Sequence, residues 1–190
     1  NGNGANSGDD WGTGTWTLGE ASSSSNTPPE ALSVTFVPTD PTRGTGLAVD
    51  YTYYDADGDS EQGTQIRWKV DGNNVGALDD QPSVSQTWLA KGQEWTCTVT
   101  VKDGTDQGDP VNIGPVTINN TLPIARNLEL TPENPIDTDE LELDYEYFDL
   151  DGEPQQGTEI RWYLDGARIP ELDDEDSVSP LMIRSGDQWE

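Results

Sequence analysis

Alternating carboxylates in a short, glycine-containing segment are the residues of this chain best suited to chemistry. Asp55, Asp57 and Asp59 are separated by single residues, with Gly58 among them. Carboxylates on such a loop can converge on one hard cation, and Ca²⁺ takes about six to eight oxygen ligands. The loop is not an EF-hand, because Ile66 stands at the twelfth position, where that motif needs a bidentate glutamate. The spacing predicts a Ca²⁺ site of another kind, and the alternative is that Asp-Gly pairs only form turns.

The acidic loop occurs twice because the chain repeats itself. Residues 26–96 align with residues 120–190 at a constant offset of 94, with 29 identities in 71 positions and no gap. The second loop carries Asp149, Asp151 and Glu153. An offset of this length is the size of a folding domain, whereas solenoid units have about 20–50 residues. We predict a flexible segment over 1–27, a first domain over 28–119 and a second domain over 120–190.

Apolar and polar residues alternate between the loops, which predicts β-strands. In the segment 46–54, Leu47, Val49, Tyr51 and Tyr53 share one face. Strict alternation gives a strand one buried and one solvated face, as in a sandwich of antiparallel sheets. The predicted strands of the first repeat are 32–37, 46–54, 64–70, 73–78, 83–90, 94–102 and 111–118. The predicted fold class is all-β, with two tandem antiparallel sandwiches, the second lacking its last strands.

The repeats resemble immunoglobulin-like sandwiches. Trp68 stands where that fold places its core tryptophan, and Val49 and Cys97 stand at its two disulfide positions. Because Cys97 is the single cysteine, no intrachain disulfide can form, and we expect a buried core thiol, with a thiol that pairs between molecules as the alternative. The phrases Tyr-x-Tyr-x-Asp-Ala-Asp-Gly-Asp and Gly-Thr-x-Ile-Arg-Trp also resemble PKD-like tandem repeats of large secreted and cell-surface proteins of bacteria and archaea. The resemblance covers residues 28–190 and implies an extracellular array with adhesion, surface-layer or filament roles.

The topology of such a sandwich predicts where the acidic loops meet. The loop after the second strand and the loop between the last two strands lie at the same end, and the latter carries Asp103. Stacking the domains is expected to bring the second acidic loop near Asp71, Asp79 or Asp80. Like charges at that distance repel unless a cation intervenes, so we predict Ca²⁺ at the domain joint. The predicted metal ligands are Asp55, Asp57, Asp59, Asp103, Asp149, Asp151 and Glu153.

The composition excludes several function classes. The net charge of −28 argues against nucleic acid and anionic membrane surfaces, and favours divalent cations, very salty surroundings or a cationic partner. No run of apolar residues reaches the length of about 20 residues that a membrane-spanning helix needs. With no histidine, triads built on histidine are excluded. The carboxylate loops recur in both repeats, which favours a structural role, so we predict that the protein is not an enzyme.

The two ends of the chain suggest how copies could associate. The segment Asp10–Leu18 is rich in threonine and tryptophan, which favours a strand. The second repeat reaches Glu190 without counterparts of the last two strands of the first, so we expect an open edge. Either the chain is a fragment of a longer array, or the N-terminal segment, with Trp11, Trp16 and Leu18, completes another molecule by donor-strand addition. The second explanation gives head-to-tail contacts between copies that do not close, and hence a filament.

The predicted function is therefore a structural subunit of an extracellular surface array or filament, rigidified by Ca²⁺. The alternative is an adhesin or a carbohydrate-binding module, since exposed Trp11, Trp16 or Trp88 could stack on glycans. Asn119-Asn120-Thr121 is in addition an acceptor pattern for N-glycosylation at Asn119.

Overall fold

The computed structural model describes residues 25–190, and the predicted donor strand with Trp11, Trp16 and Leu18 lies outside that range. The strands in chain order are β1 (Glu30–Val37), β2 (Leu47–Tyr54), β3 (Gln65–Val70), β4 (Asn73–Asn74), β5 (Ser83–Val84), β6 (Glu94–Thr100), β7 (Val111–Thr117), β8 (Ile124–Thr131), β9 (Leu141–Phe148), β10 (Tyr163–Leu164), β11 (Ala167–Arg168) and β12 (Ser177–Val178). Short 3₁₀ turns lie at Gly76–Leu78, Pro170–Leu172 and Pro180–Met182. The described chain contains no helix that could span a membrane.

The first repeat is an antiparallel sandwich. One sheet has the order β1-β2-β5 and the other has the order β4-β3-β6-β7. This is the immunoglobulin-like arrangement that the sequence predicts, with strand β3 and its tryptophan in the middle of the larger sheet. The apolar positions of β2, β3 and β6 face inward as their alternation requires.

The second repeat builds the same smaller sheet but less of the larger one. Strands β12, β9 and β8 pair in the order that matches β5, β2 and β1, while only β10 and β11 form the second sheet. Strands β1 and β8 also share an irregularity, because each shifts register against its partner next to a residue with positive φ, Ser33 at 54° and Asn127 at 56°. A bulge at the same position in both repeats indicates that the bend of this strand is a regular feature of the repeat.

Buried tryptophans hold the core of each repeat. Trp68 is 1% exposed and packs edge to face on Trp95, with ring centroids 6.2 Å apart. Its indole Nε1 donates to the carbonyl of Gln81 at 2.8 Å, so its polar atom is satisfied inside the core. Trp162 and Trp189 repeat the pair with centroids 6.3 Å apart. The two repeats therefore use one packing scheme, although they share fewer than half of their residues.

The single cysteine lies in the first core, as expected. Cys97 is 2% exposed, and burial raises the pKa of its thiol to about 12. Because the thiolate is the reactive form, we expect a thiol reagent at pH 8 to modify Cys97 only through unfolding of the repeat. An opening cost of about 5 kcal/mol implies modification roughly 5,000-fold slower than in urea. Rapid labelling of the native protein would contradict this placement.

Candidate functional site: the acidic loops and the joint

The acidic loop of each repeat is organised around its first aspartate. Asp55 Oδ1 accepts the backbone N–H groups of Asp57 at 2.8 Å and Asp59 at 3.1 Å. Asp149 Oδ1 accepts those of Asp151 and Glu153 at the same two distances. One carboxylate oxygen thus fixes the turn, and this part of the geometry is what the turn-only alternative predicts.

The second aspartate of each loop binds the segment that leads into the first strand of its repeat. Asp57 Oδ2 accepts the backbone N–H of Thr27 at 2.7 Å, and Asp151 Oδ2 accepts that of Thr121 at 2.7 Å. These contacts place each acidic loop at the N-terminal end of its repeat, as the predicted topology requires. The identical Asn-Thr pairs at 26–27 and 120–121 are the sequence signal for this contact, and it can be read only after the loop's position is known.

The loop between β6 and β7 meets the first acidic loop at the same end. Asn26 Nδ2 donates to Asp103 Oδ2 at 2.8 Å and to Asp106 Oδ2 at 2.9 Å. These bonds, with the backbone N–H groups of Asp106 and Thr105, hold the pKa of Asp103 below its usual value. The prediction that Asp103 lies at the end of the domain that carries Asp55 and Asp57 is thus correct, with Asn26 bridging to it. Asp59 contributes its backbone, whose carbonyl accepts the Tyr53 hydroxyl at 3.1 Å.

Several oxygens of these loops are buried without a hydrogen-bond partner in the protein. They are Asp55 Oδ2 in the first repeat, and Asp149 Oδ2, Asp151 Oδ1 and Asn120 Oδ1 in the second. All four are acceptors, and Asn120 adjoins the Thr121 that Asp151 holds. A buried oxygen without a donor carries a desolvation cost, which a bound cation would offset. As placed, no three Asp, Glu or Cys side chains within 25–190 form a metal-binding group.

Negative charge at both loops acts on the neighbouring tyrosines. The pKa of Tyr53 is raised by desolvation and then by the charge of Asp55. The pKa of Tyr147 is raised by desolvation and then by the charge of Asp149. Both loops therefore carry a local negative potential, which is the electrostatic condition for attracting a cation.

The second acidic loop contacts the C-terminal end of the first repeat. Arg43 donates from Nη1 to the carbonyl of Leu150, and Lys91 forms an ion pair with Glu153. The backbone N–H of Gly44 donates to Thr121 Oγ1 at 3.3 Å, and a Cβ added at Gly44 would lie 3.1 Å from Thr121 Cγ2. The hydrogen bond to Glu153 raises the pKa of Lys91. This contact surface is called the joint below.

The expectation that Asp71, Asp79 or Asp80 faces the second loop is wrong for Asp79 and Asp80. Both pair with Arg67 beside β3, and Asp80 Oδ1 also accepts the backbone N–H of Ile66 at 3.1 Å. The loop that carries Asp79 and Asp80 folds back along β3, because the guanidinium group of Arg67 and the backbone N–H of Ile66 attract its carboxylates. The second repeat has the same arrangement, with Asp174 on Arg161 and on the N–H of Ile160. Asp71 Oδ1 accepts the N–H of Glu94 at 2.9 Å.

The two cationic side chains of the joint, Arg43 and Lys91, have no cationic counterpart in the second repeat. At the offset of 94, Asp137 stands at the position of Arg43 and Ser185 at that of Lys91. These two cationic side chains could not be predicted from the sequence, because they lie outside every motif that the repeats share. Asn119, the glycosylation candidate, is exposed next to the joint, and its backbone N–H donates to the carbonyl of Pro41 at 2.8 Å.

We expect Lys91→Glu to loosen the joint with little effect on folding. The side chains of Lys91 and Glu153 are 44% and 42% exposed, so solvent screens the pair and its contribution to folding stability is small. The substitution, however, places two carboxylates at the contact. Measurement of ¹⁵N relaxation should show the two repeats tumbling together in the parent chain and more independently in the variant. The charge-swapped Lys91→Glu/Glu153→Lys variant should restore joint tumbling, and identical relaxation in all three proteins would refute a role for this pair.

Scans of the chain against protein-family models, curated proteins and solved structures found no match.

Proposed function

We propose that this chain is a structural module of an extracellular surface array or filament, in which sandwich domains stack end to end through an acidic joint stiffened by Ca²⁺. The observation that carries this proposal is the joint itself. There Asp149, Asp151 and Asn120 hold buried acceptor oxygens next to the contact with the first repeat. An end-to-end contact with a fixed chemistry favours a role in spanning distance, and the resemblance to PKD-like tandem repeats favours the same role.

The proposed role is non-catalytic. Each acidic loop uses its first carboxylate to hold a turn and its second to hold the entering strand, and it does so identically in both repeats. A duplicated arrangement of this kind supports a structural function of the loop. The proposed extracellular location is supported by the resemblance and by the strongly acidic composition.

Association between molecules would depend on Ca²⁺ more strongly than the joint within one molecule. A second molecule stacked on the far end of the second repeat would meet Asp137 and Ser185 where Arg43 and Lys91 stand in the first. Acidic groups would then face the acidic loop of the incoming molecule without a cationic side chain between them. A cation bound between them would offset that repulsion.

Light scattering tests the proposal directly. In millimolar Ca²⁺ we expect the molar mass to rise with protein concentration, and after chelation we expect it to return to the monomer value of 20.7 kDa. Sodium chloride at equal ionic strength serves as the control, because screening alone would act without Ca²⁺. A monomer mass in every condition would refute assembly through Ca²⁺-dependent stacking.

A glycan-binding role is the second candidate, and one observation favours it. Trp88 is 43% exposed, so its indole can be reached by a sugar ring. Glycan binding at this residue should quench tryptophan fluorescence in the parent chain and leave the Trp88→Phe variant unchanged. A structural array without glycan affinity would show no quenching in either protein.

A further inference from the structure

The outer face of the smaller sheet of the first repeat carries an uncharged recess. The recess has a volume of 350 Å³, which lies at the small end of the range of about 300–1,000 Å³ for ligand sites. It is lined by Val37 and by the segments 44–48 and 83–86. None of these lining residues is charged, although the chain has a net charge of −28. The recess is therefore a neutral surface in a strongly acidic protein.

A small residue on the central strand of this sheet forms the floor of the recess. Ala48 lies on β2 between the core residues Leu47 and Val49, so its side chain points to the outer face. It is paired with Val37 on β1 and with Ser83 on β5. Because the alanine side chain ends at Cβ, its two neighbours stand above it as walls. One wall is apolar, and the other carries a hydroxyl group.

Hydrogen bonds fix the two ends of the recess. The backbone N–H of Thr42 donates to Thr45 Oγ1 at 2.9 Å, and the backbone N–H of Thr45 donates to Thr42 Oγ1 at 3.2 Å. These bonds hold the turn before β2. After β5, the backbone N–H of Trp88 donates to the carbonyl of Ser85 at 3.0 Å. A lining that is already ordered loses little conformational freedom when a ligand binds, which favours affinity.

The second repeat places carboxylates at the equivalent positions. At the offset of 94, Ala48 corresponds to Glu142, and Glu140 stands two residues earlier. Glu140 Oε1 accepts a hydrogen bond from the hydroxyl of Ser177, the counterpart of Ser83, at 2.8 Å. The strand pairing is nevertheless the same, since Ser177 is opposite Glu142 as Ser83 is opposite Ala48. The sheet therefore does not require an uncharged recess, which favours a ligand as the reason for it.

The lining matches a ligand that has both hydroxyl groups and apolar C–H surface but no charge. Ser83, Ser85 and Gln86 are exposed and present hydroxyl and amide groups, which both donate and accept hydrogen bonds. Val37 is 49% exposed and offers an apolar surface. Trp88, which is 43% exposed, lies on the same loop as Ser85 and Gln86. An ion would meet no side chain of opposite charge among the lining residues, whereas a pyranose ring has both kinds of surface.

We infer that this recess binds one ring of a neutral saccharide. The hydroxyl groups of the ring bond to Ser83, Ser85 and Gln86, and its C–H groups lie against Val37. The inference rests on the glycan-binding candidate proposed above for the class of ligand, and it adds a site on the sheet itself. The recess includes neither acidic loop, so binding requires neither Ca²⁺ nor the stacking of domains.

Two variants of the full chain form a matched pair for the test. Ala48→Glu introduces the residue of the second repeat, Glu142, at the floor of the recess. Thr52→Glu introduces Glu146 of the second repeat on the same exposed face of β2, outside the recess. Both variants should fold, because β9 pairs with β8 while carrying both glutamates. Each variant adds one negative charge, so the two differ only in where the charge lies.

The measurement is an NMR titration of the ¹⁵N-labelled chain, in the presence of chelator, with neutral trisaccharides of glucose, N-acetylglucosamine, mannose or galactose. With at least one of them we expect saturable shifts of the amide signals of Gly46, Ala48 and Gln86, with a Kd in the millimolar range. Ala48→Glu should weaken this binding at least about 10-fold, because the glutamate side chain takes the place of the ring and removes its hydrogen bonds. Thr52→Glu should bind as the parent chain does.

The inference would be overturned if none of these saccharides shifted the signals up to about 10 mM, or if both variants bound equally well. Equal affinity for trigalacturonate, which carries a carboxylate on every ring, would show that the neutral lining does not select the ligand. Quenching of Trp88 by a glycan that binds Ala48→Glu as tightly as the parent would keep the glycan-binding candidate and refute only the recess. The light-scattering experiment uses no saccharide, so the structural role can fail or stand separately.

Discussion

The Trp68→Ala variant should lose most of the stability of the first repeat. Removing a buried tryptophan typically costs about 3–5 kcal/mol, and small domains gain only about 5–15 kcal/mol from folding. Trp68 is 1% exposed, contacts Phe36 and Trp95, and satisfies its indole through the carbonyl of Gln81. The change would therefore create a cavity and remove the donor to the carbonyl of Gln81. A loss of 3 kcal/mol in a domain of this size corresponds to a fall in Tm of at least about 12 °C.

Calorimetric melting of the parent chain and two variants would check this expectation. Trp88→Ala removes the same side chain from a position that is 43% exposed, and surface substitutions usually change stability by about 0.5 kcal/mol or less. If both variants lowered the transition of the first repeat equally, the assignment of Trp68 to the centre of the core would be wrong.

Calcium should stabilise the second repeat through the joint. A site with a Kd of about 0.1–1 mM, the range of Ca²⁺ sites in known extracellular modules, would add about 1.4–2.7 kcal/mol at 10 mM Ca²⁺. This corresponds to a rise in Tm of about 6 °C or more. The expected ligands include the unpartnered oxygens of Asp149, Asp151 and Asn120. Mg²⁺ should raise Tm less, since its octahedral geometry demands a more rigid site.

Variants can separate this site from a general charge effect. Asp149→Asn with Asp151→Asn keeps one side-chain oxygen as acceptor for the N–H groups of the loop and of Thr121, but puts an NH2 group, which cannot bind a cation, in place of each unpartnered oxygen. This double variant should lose the Ca²⁺-dependent rise in Tm. Asp137→Asn, which removes one charge outside the loop, should keep it. An equal Ca²⁺ response in both variants would assign the effect to neutralisation of the whole chain.

The sandwich could be read from the sequence because its strands obey simple alternation. Leu47, Val49, Trp68 and Cys97 occupy buried positions on the inward faces of their strands, and a register shift of one residue would have exposed them. The sequence repeat also predicted which residues of the two cores correspond, and Trp68 and Trp162 do have the same surroundings. The short strands β4 and β5 were predicted too long, because their apolar residues pack from turns and loops. Leu78, for example, lies buried in a 3₁₀ turn.

The joint could be predicted only in part. The position of Asp149 and Asp151 at the N-terminal end of the second repeat could be predicted from strand order, since consecutive antiparallel strands fix which loops lie at the same end. The partner surface did not, because Arg43 and Lys91 are single residues on loops whose paths depend on tertiary packing. Asp80 was misplaced for a related reason, since its loop is drawn back along β3 by Arg67 and by the N–H of Ile66.

A Ca²⁺ titration of the ¹⁵N-labelled chain, followed by NMR, tests whether the joint binds Ca²⁺. We expect saturable shifts of the amide signals of Asn120, Thr121 and residues 149–153 with one common Kd, and loss of these shifts in the Asp149→Asn/Asp151→Asn variant. Signals at these residues that stay unchanged up to about 10 mM Ca²⁺, far above the Kd of typical extracellular sites, would contradict it and leave the acidic loops as turns.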